Sequence, residues 1–207
     1  MTRPPGAARP YRLGMFGGAF DPPHNAHIAL ARAAVEQLGL DELRIFPTGQ
    51  AWHKARALSA GEHRLAMARL AFAQVPRATV DGRELQRAGY TYTVDTLREL
   101  RQEFPLAQLL LVIGADQAEA LHTWRENGEI ARTAIISIAA RARPTGSAST
   151  FDASRLPPGP REPVELPPMP FSSTEIRARA GAGEKIDHLV PGAVARYIED
   201  HHLYQPT

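Results

Sequence analysis

Two histidines three residues apart, His24 and His27, follow a pair of adjacent glycines in the segment Gly14-Met15-Phe16-Gly17-Gly18-Ala19-Phe20-Asp21-Pro22-Pro23-His24-Asn25-Ala26-His27. Glycines at the end of an apolar run let the backbone approach a ligand closely. The Ala-rich stretch that follows, Asn25 to Leu38, reads as a helix stopping at Gly39, a residue suited to the turn past a helix end. A helix entrance offers N–H groups and the positive end of its dipole, which together bind phosphate. Imidazoles donate hydrogen bonds and can carry charge near neutral pH, so both rings suit that task. Two other readings fit the same residues. One is a tight turn followed by surface histidines; the other is half a zinc site with no third ligand nearby. The segment is neither a G-x-G-x-x-G turn nor a loop ending in Gly-Lys-Ser/Thr.

A second cluster lies far along the chain, in Phe171-Ser172-Ser173-Thr174-Glu175-Ile176-Arg177. Ser or Thr here caps a helix. The same hydroxyls and N–H groups can hold a phosphate, with Arg177 one turn further in as a bidentate partner. Asp116, after Gly114 at the end of an apolar run, can accept from ribose hydroxyls or cap a helix at 117–121. Thr93 reads as a helix N-cap or a ligand contact. Trp124 belongs to a residue type more often packed in a core than used as a ligand platform. His53 and Lys54 stand on a loop, where a lysine is either solvated or attracts phosphate. His201 and His202 read as surface.

These side chains need a scaffold. Strands are expected at Tyr11–Phe16, Leu43–Pro47, Ala78–Asp81, Gln108–Ile113 and Ala134–Ala139. Between them lie helical stretches: Asn25–Leu38, one opened by the capping box Ser59-Ala60-Gly61-Glu62 and running to about Gln74, and Thr93–Glu103. Strands alternating with helices of this length predict βαβ units and a parallel sheet, an α/β fold. Two more helices are expected after Ser172–Thr174 and after Pro191. Residues 1–10 read as a loose arm. Residues 144–170 hold eight prolines and read as a long surface loop within a single domain spanning 1–207.

Composition narrows the chemistry. The 207 residues include no cysteine, which removes thiol catalysis, Cys-ligated metals and disulfides. The net charge of +2 does not call for a nucleic acid partner. The longest apolar runs, Leu109–Ala115 and Ala134–Ala140, are too short to cross a bilayer. The first ten residues lack the apolar centre of a secretory signal, so a cytoplasmic protein is expected.

Taken together, the two clusters resemble a known pair. Gly17-Gly18-x-Phe20-Asp21-Pro22-x-His24-x-x-His27 resembles the first signature of the nucleotidyltransferase superfamily, with Ala26 where glycine is usual, and Phe171 to Arg177 resembles the second, I-S-S-T-x-[IV]-R. Pro47-Thr48 through His53-Lys54, Asp81 to Leu97 with its Arg83-Glu84 and Tyr92-Thr93, and Ile113-Gly114-Ala115-Asp116 followed by Leu121 and Trp124 are similar to blocks of the nicotinate-nucleotide adenylyltransferase family. The likeness spans roughly residues 13–204.

The resemblance implies a Rossmann-like open parallel sheet with helices on both faces and a small C-terminal helical portion. It implies adenylyl transfer from ATP to nicotinate mononucleotide, with Mg²⁺ held by phosphates and water and no protein metal ligand. His24, His27, Arg177 and Lys54 would be catalytic. ATP would meet Gly17, Gly18, Ala19, Phe20 and His27 on the first loop, Gly114 and Asp116 on the second, and Ser172, Ser173, Thr174 and Arg177 on the third. The mononucleotide would meet Thr48, His53, Lys54, Thr93, Trp124 and Arg125, with Trp124 stacked on the pyridine ring. Nicotinamide mononucleotide or phosphopantetheine as acceptor, or an ATP sensor without turnover, are the alternatives. The presence of His24, His27 and Arg177 argues against the sensor.

Overall fold

Apolar runs alternating with helices build one parallel sheet. The computed structural model describes residues 9–51, 58–141, 156–167, 169 and 172–205. The strands are β1 (Arg12–Gly18), β2 (Glu42–Pro47), β3 (Gln50–Ala51), β4 (Ala78–Val80), β5 (Tyr90–Thr91), β6 (Gln108–Gly114), β7 (Ile135–Arg141) and β8 (Arg161–Leu166). Six of them pair in parallel in the order β4-β2-β1-β6-β7-β8, while β3 and β5 form a separate two-stranded parallel ribbon. Counted in chain order, the large sheet runs 3-2-1-4-5-6, the doubly wound order that reverses between β1 and β6.

The helices are α1 (Asn25–Gln37), α2 (Gly61–Phe72), α3 (Thr93–Glu103), α4 (Ala115–Ala120), α5 (Asn127–Thr133), α6 (Ser173–Gly181) and α7 (Gly192–Asp200). One core cluster packs Leu30, Ala34, Met67, Phe72, Ile176 and Val194, from α1, α2, α6 and α7, against Phe16, Ile45, Leu110 and Val112. The other packs Val94, Leu97, Leu100, Ala118 and Ile130, from α3, α4 and α5, against Leu13, Met15, Leu109 and Leu111. Successive residues of β6 thus feed opposite faces, and both faces are covered. That is why this strand reads as an unbroken apolar run. Among the described residues, no helix is long and apolar enough to cross a membrane.

Several boundaries differ from the sequence-based expectation. Arg161–Leu166, inside the proline-rich stretch expected to be loop, is the sheet's edge strand and pairs with β7 only, Ile138 opposite Pro163. An edge position tolerates proline because one side of the strand needs no ladder donor. Ser59 does not cap α2: the cap residue is Ala60, and the helix ends at Phe72. The Ser59 N–H instead donates to the Asp21 carboxylate at 3.3 Å. Tyr92, not Thr93, is the N-cap of α3, and Gly114, not Asp116, that of α4. β1 continues through both glycines because its ladder with β2 runs to Gly18 opposite Pro47. The seven-residue α5 was not anticipated, being too short to show a helical period.

Candidate active site

The ends of β1 and β6 part. Their ladder stops at Met15 opposite Leu111, although β6 continues to Gly114. A crevice opens there, at the reversal of strand order, where open α/β sheets bind ligands. It widens into a cavity of about 150 Å³, with Met15, Leu111, Ile113 and Ile130 among its apolar walls. Gly17, Gly18 and Ala19 line it. Thr48, beside Gly18, and Thr93, Trp124 and Arg125 line it as well. A Cβ on Gly17 would meet nothing within 4 Å, so its backbone faces open space, whereas one on Gly18 would lie 2.9 Å from the Phe20 ring.

Beyond Ala19 the chain turns sharply. Phe20 has a φ of +48°, a strained conformation for a bulky residue, and its ring is buried edge-on against Phe16, Phe72 and His27. Phe20 is not among the residues lining the cavity, and its side chain belongs to the core.

His24 is the N-cap of α1, and the His24 N–H donates to His27 Nδ1 at 3.2 Å. Because Nδ1 accepts, the proton of a neutral His27 sits on Nε2, leaving that nitrogen a donor. The two rings stack with centroids 3.8 Å apart. Burial drives the pKa of His24 down to about 4, so at neutral pH it is an uncharged imidazole rather than the cation its type allowed. Hydrogen bonding, not charge, is what His24 can bring to a phosphate.

The second cluster docks onto this loop. Ser172 caps α6, accepting from the Glu175 N–H at 3.3 Å. Ser173 Oγ donates to the Pro22 carbonyl at 3.0 Å. Arg177 Nη1 donates to the Asp21 carbonyl at 2.7 Å, and its Nη2 to Thr174 Oγ1 at 3.1 Å. The fold thus joins the two remote motifs through backbone carbonyls of the first. The Asp21 side chain is fixed as well, since Tyr204 Oη donates to Oδ1 at 2.8 Å. Across the crevice, Gly114 leaves open space and the exposed Asp116 sits in the first turn of α4.

A pattern described as cytidylyltransferase-like matches residues 15–179. A protein of Albidiferax ferrireducens described as a probable nicotinate-nucleotide adenylyltransferase is 52% identical over 194 residues, covering 94% of this chain and 98% of that one. One from Methylibium petroleiphilum with the same description is 42% identical, covering 94% and 93%. This chain belongs to the nicotinate-nucleotide adenylyltransferases. The fold is shared with the nicotinic acid mononucleotide adenylyltransferase of Plasmodium falciparum, solved in complex with NaAD. There the TM-score is 0.76 at 18% identity, with 94% of this chain and 97% of the other covered.

Thr93 and Trp124 both face the cavity. The Trp124 N–H is used within its own turn, donating to the Leu121 carbonyl at 3.0 Å. Trp124 is half-buried and packs on the second core cluster as well as lining the cavity, so its two readings are not exclusive. The Arg125 guanidinium lies 4.7 Å from the Tyr92 ring centroid, a cation–π contact that holds it at the cavity's edge. His53, Lys54 and Phe171 lie outside the described residues. His24, His27, Asp116 and Arg177 lie outside the cavity lining, on the helix entrances that flank the loop.

Sequence reasoning missed Gln117, Tyr92, Thr91 and Glu84, which also line the cavity. Glu84 is 3% exposed and accepts from Thr96 Oγ1 at 2.7 Å. Burial raises its pKa to about 7, against the pull of that hydrogen bond and of Arg87. Its place in the Arg83-Glu84 pair was visible in sequence, but its burial was not. The backbone there is close-packed too: a Cβ on Gly49 would lie 2.2 Å from the Glu84 carbonyl oxygen.

Proposed function

We propose that this chain joins ATP and nicotinate mononucleotide at the crevice between β1 and β6, releasing pyrophosphate and forming nicotinate adenine dinucleotide. The observation that carries the reading is the shared cavity wall. The glycine pair of the phosphate-type loop lines the same cavity as Thr93 and Trp124. An acceptor seated on Trp124 therefore delivers its own phosphate toward the loop that holds ATP.

The nucleophile is the mononucleotide phosphate, already an anion, so no general base is required. It attacks the α-phosphorus in line with the departing pyrophosphate. One P–O bond forms, one breaks, and no covalent enzyme intermediate intervenes. Catalysis is positioning plus stabilisation of charge on the phosphoryl oxygens. His27 Nε2–H and neutral His24 donate to the α/β oxygens. Ser172, Ser173, Thr174 and Arg177 take the β/γ end, and Lys54 assists them. In this state Arg177 and Ser173 grip carbonyls of the first loop, and a bound triphosphate competes for those same donors.

Among the described residues no group of three His, Asp or Glu side chains is placed to hold a metal. The first loop carries donors, which suit phosphate oxygens, and its one carboxylate, Asp21, already accepts from Tyr204 and Ser59. This donor set would suit Mg²⁺ that arrives on ATP and is held by phosphate oxygens and water, and the ion would then offset charge on the phosphates. Asp116 accepts from ribose hydroxyls, beside the space left open by Gly114.

On the acceptor side, Trp124 offers an indole face to the electron-poor pyridine. Thr93 and backbone N–H groups of the α3 entrance, with Arg125 at the edge, suit an acceptor-only carboxylate. The test is pyrophosphate release with ATP, Mg²⁺ and each of nicotinate mononucleotide, nicotinamide mononucleotide and phosphopantetheine in turn. Turnover with either other acceptor but not with nicotinate mononucleotide, or none with any acceptor, overturns the reading.

A further inference from the structure

Arg64 is 4% exposed, and among the described residues it donates to backbone carbonyls. It sits on α2, and its guanidinium is spent on three backbone carbonyls from three segments. Nε donates to Ser59 O at 2.9 Å. Nη1 donates to Ala19 O at 3.1 Å and to Thr48 O at 2.6 Å. Ala19 and Thr48 are the first residues past the β1–β2 ladder, whose last pair is Gly18 opposite Pro47. Their carbonyls have run out of sheet partners there, and a buried carbonyl without a donor is costly. Arg64 supplies that donor to both from one nitrogen. The Thr48 N–H adds a second tie, donating to Gly18 O at 2.9 Å.

We propose that Arg64 is a positioning residue for the reaction: its Nη1, donating to one carbonyl of each, sets the distance between the loop holding the ATP phosphates and the loop holding the acceptor. This rests on the functional reading above, which places Ala19 beside ATP and Thr48 beside the mononucleotide. Burying a guanidinium is costly unless its donors find acceptors, and an apolar side chain would fill the same space without that cost. What an apolar residue cannot do is hold two loop ends in one fixed geometry. Burial pulls the guanidinium's pKa below its usual value, and the Asp21 carboxylate offsets part of that pull. Arg64 touches neither substrate's reacting atoms; it acts through Ala19 and Thr48. In-line attack depends on that alignment, and a misplacement of about 1 Å can cost on the order of 100-fold in rate.

The experiment compares wild type with Arg64→Lys, which keeps the charge but loses Nε and ends one bond short of the Nη1 position that holds Ala19 O and Thr48 O. The kinetic constants are read beside amide exchange at Thr48 N–H, with thermal melting as the folding control. A folded Arg64→Lys is expected to lose on the order of 100-fold in kcat. KM for ATP and for the mononucleotide should each stay within about twofold, and Thr48 exchange should accelerate. Unchanged kcat, a KM rise that accounts for the whole loss, or a variant that fails to fold would each assign Arg64 to stability or simple binding and overturn the proposal. The exchange measurement needs no substrate. If wild type does not turn over nicotinate mononucleotide, the functional reading falls, while unchanged exchange at Thr48 in the variant still overturns the tie itself.

Discussion

Replacing His27 removes two interactions at once, and a second substitution separates them. Its Nδ1 accepts the His24 N–H at 3.2 Å, which closes the entrance of α1, and its Nε2–H is the donor proposed for a phosphate oxygen. His27→Ala forfeits both. Loss of the capping partner costs about 1 kcal/mol of stability, a fall in melting temperature of about 2–4 °C for a chain of this size. Loss of one preorganised donor to a developing oxyanion costs about 2.7–4 kcal/mol in the transition state, or about 100- to 1,000-fold in kcat. Glutamine is a residue that capping boxes use at this helix position, so His27→Gln can accept from the His24 N–H. Its amide does not reproduce an imidazole N–H at the Nε2 position. His27→Gln should therefore melt near wild type and still turn over at least about 100-fold more slowly. KM for the mononucleotide should change little in either variant. The assay is pyrophosphate release at saturating ATP, Mg²⁺ and mononucleotide, with thermal melts on the same samples. Recovery of turnover in His27→Gln would show that capping was all His27 contributed. So would a loss in His27→Ala that merely tracks the folded fraction.

Trp124→Ala should raise KM for the mononucleotide by roughly two- to tenfold from lost stacking and leave KM for ATP unchanged; equal effects on both would make Trp124 a core residue only. Nicotinate mononucleotide should be preferred over the nicotinamide form by several orders of magnitude in kcat/KM, since the amide NH₂ would set donor against donor; a ratio near one would reject a donor-lined pocket. Stability should carry two opposed pH terms. His24, held down to about 4 from 6.5, contributes stability present above pH 6.5 and lost as pH falls through 4. Glu84, raised to about 7 from 4.5, contributes stability present below pH 4.5 and lost as pH rises through 7. Relative to wild type in urea unfolding, His24→Gln should therefore gain up to about 3 kcal/mol on going from pH 6.5 to 4, and Glu84→Gln a similar amount from pH 4.5 to 7. A difference from wild type that stays flat with pH would refute the corresponding burial argument.

The strands of the sheet's centre and the helices that cover it were legible because each carries its signal locally. β6 is an apolar run closed by glycine, and α3 matched its expected bounds, Thr93–Glu103, because its apolar period and the break before Pro105 both lie within it. The Gly17–His27 segment pointed to a phosphate loop for the same reason: glycine pair, helix entrance and imidazoles are contiguous. The edge strand β8 was hidden, since Pro163 and its neighbours read as loop until β7 supplies the missing side of the ladder. Charge state was hidden as well. His24 and Glu84 are ordinary residue types whose pKa values move in opposite senses only because the fold withdraws both from water. Arg64 carried no motif; its meaning lies in three carbonyls from three segments that meet only when β1, β2 and α2 have packed. The docking of Arg177 on the Asp21 carbonyl is of the same kind. Sequence determined which groups the site contains, because spacing along one element is covalent. Tertiary structure alone decided which of them meet, which are desolvated and which hold another in place, because those depend on segments that only packing brings together.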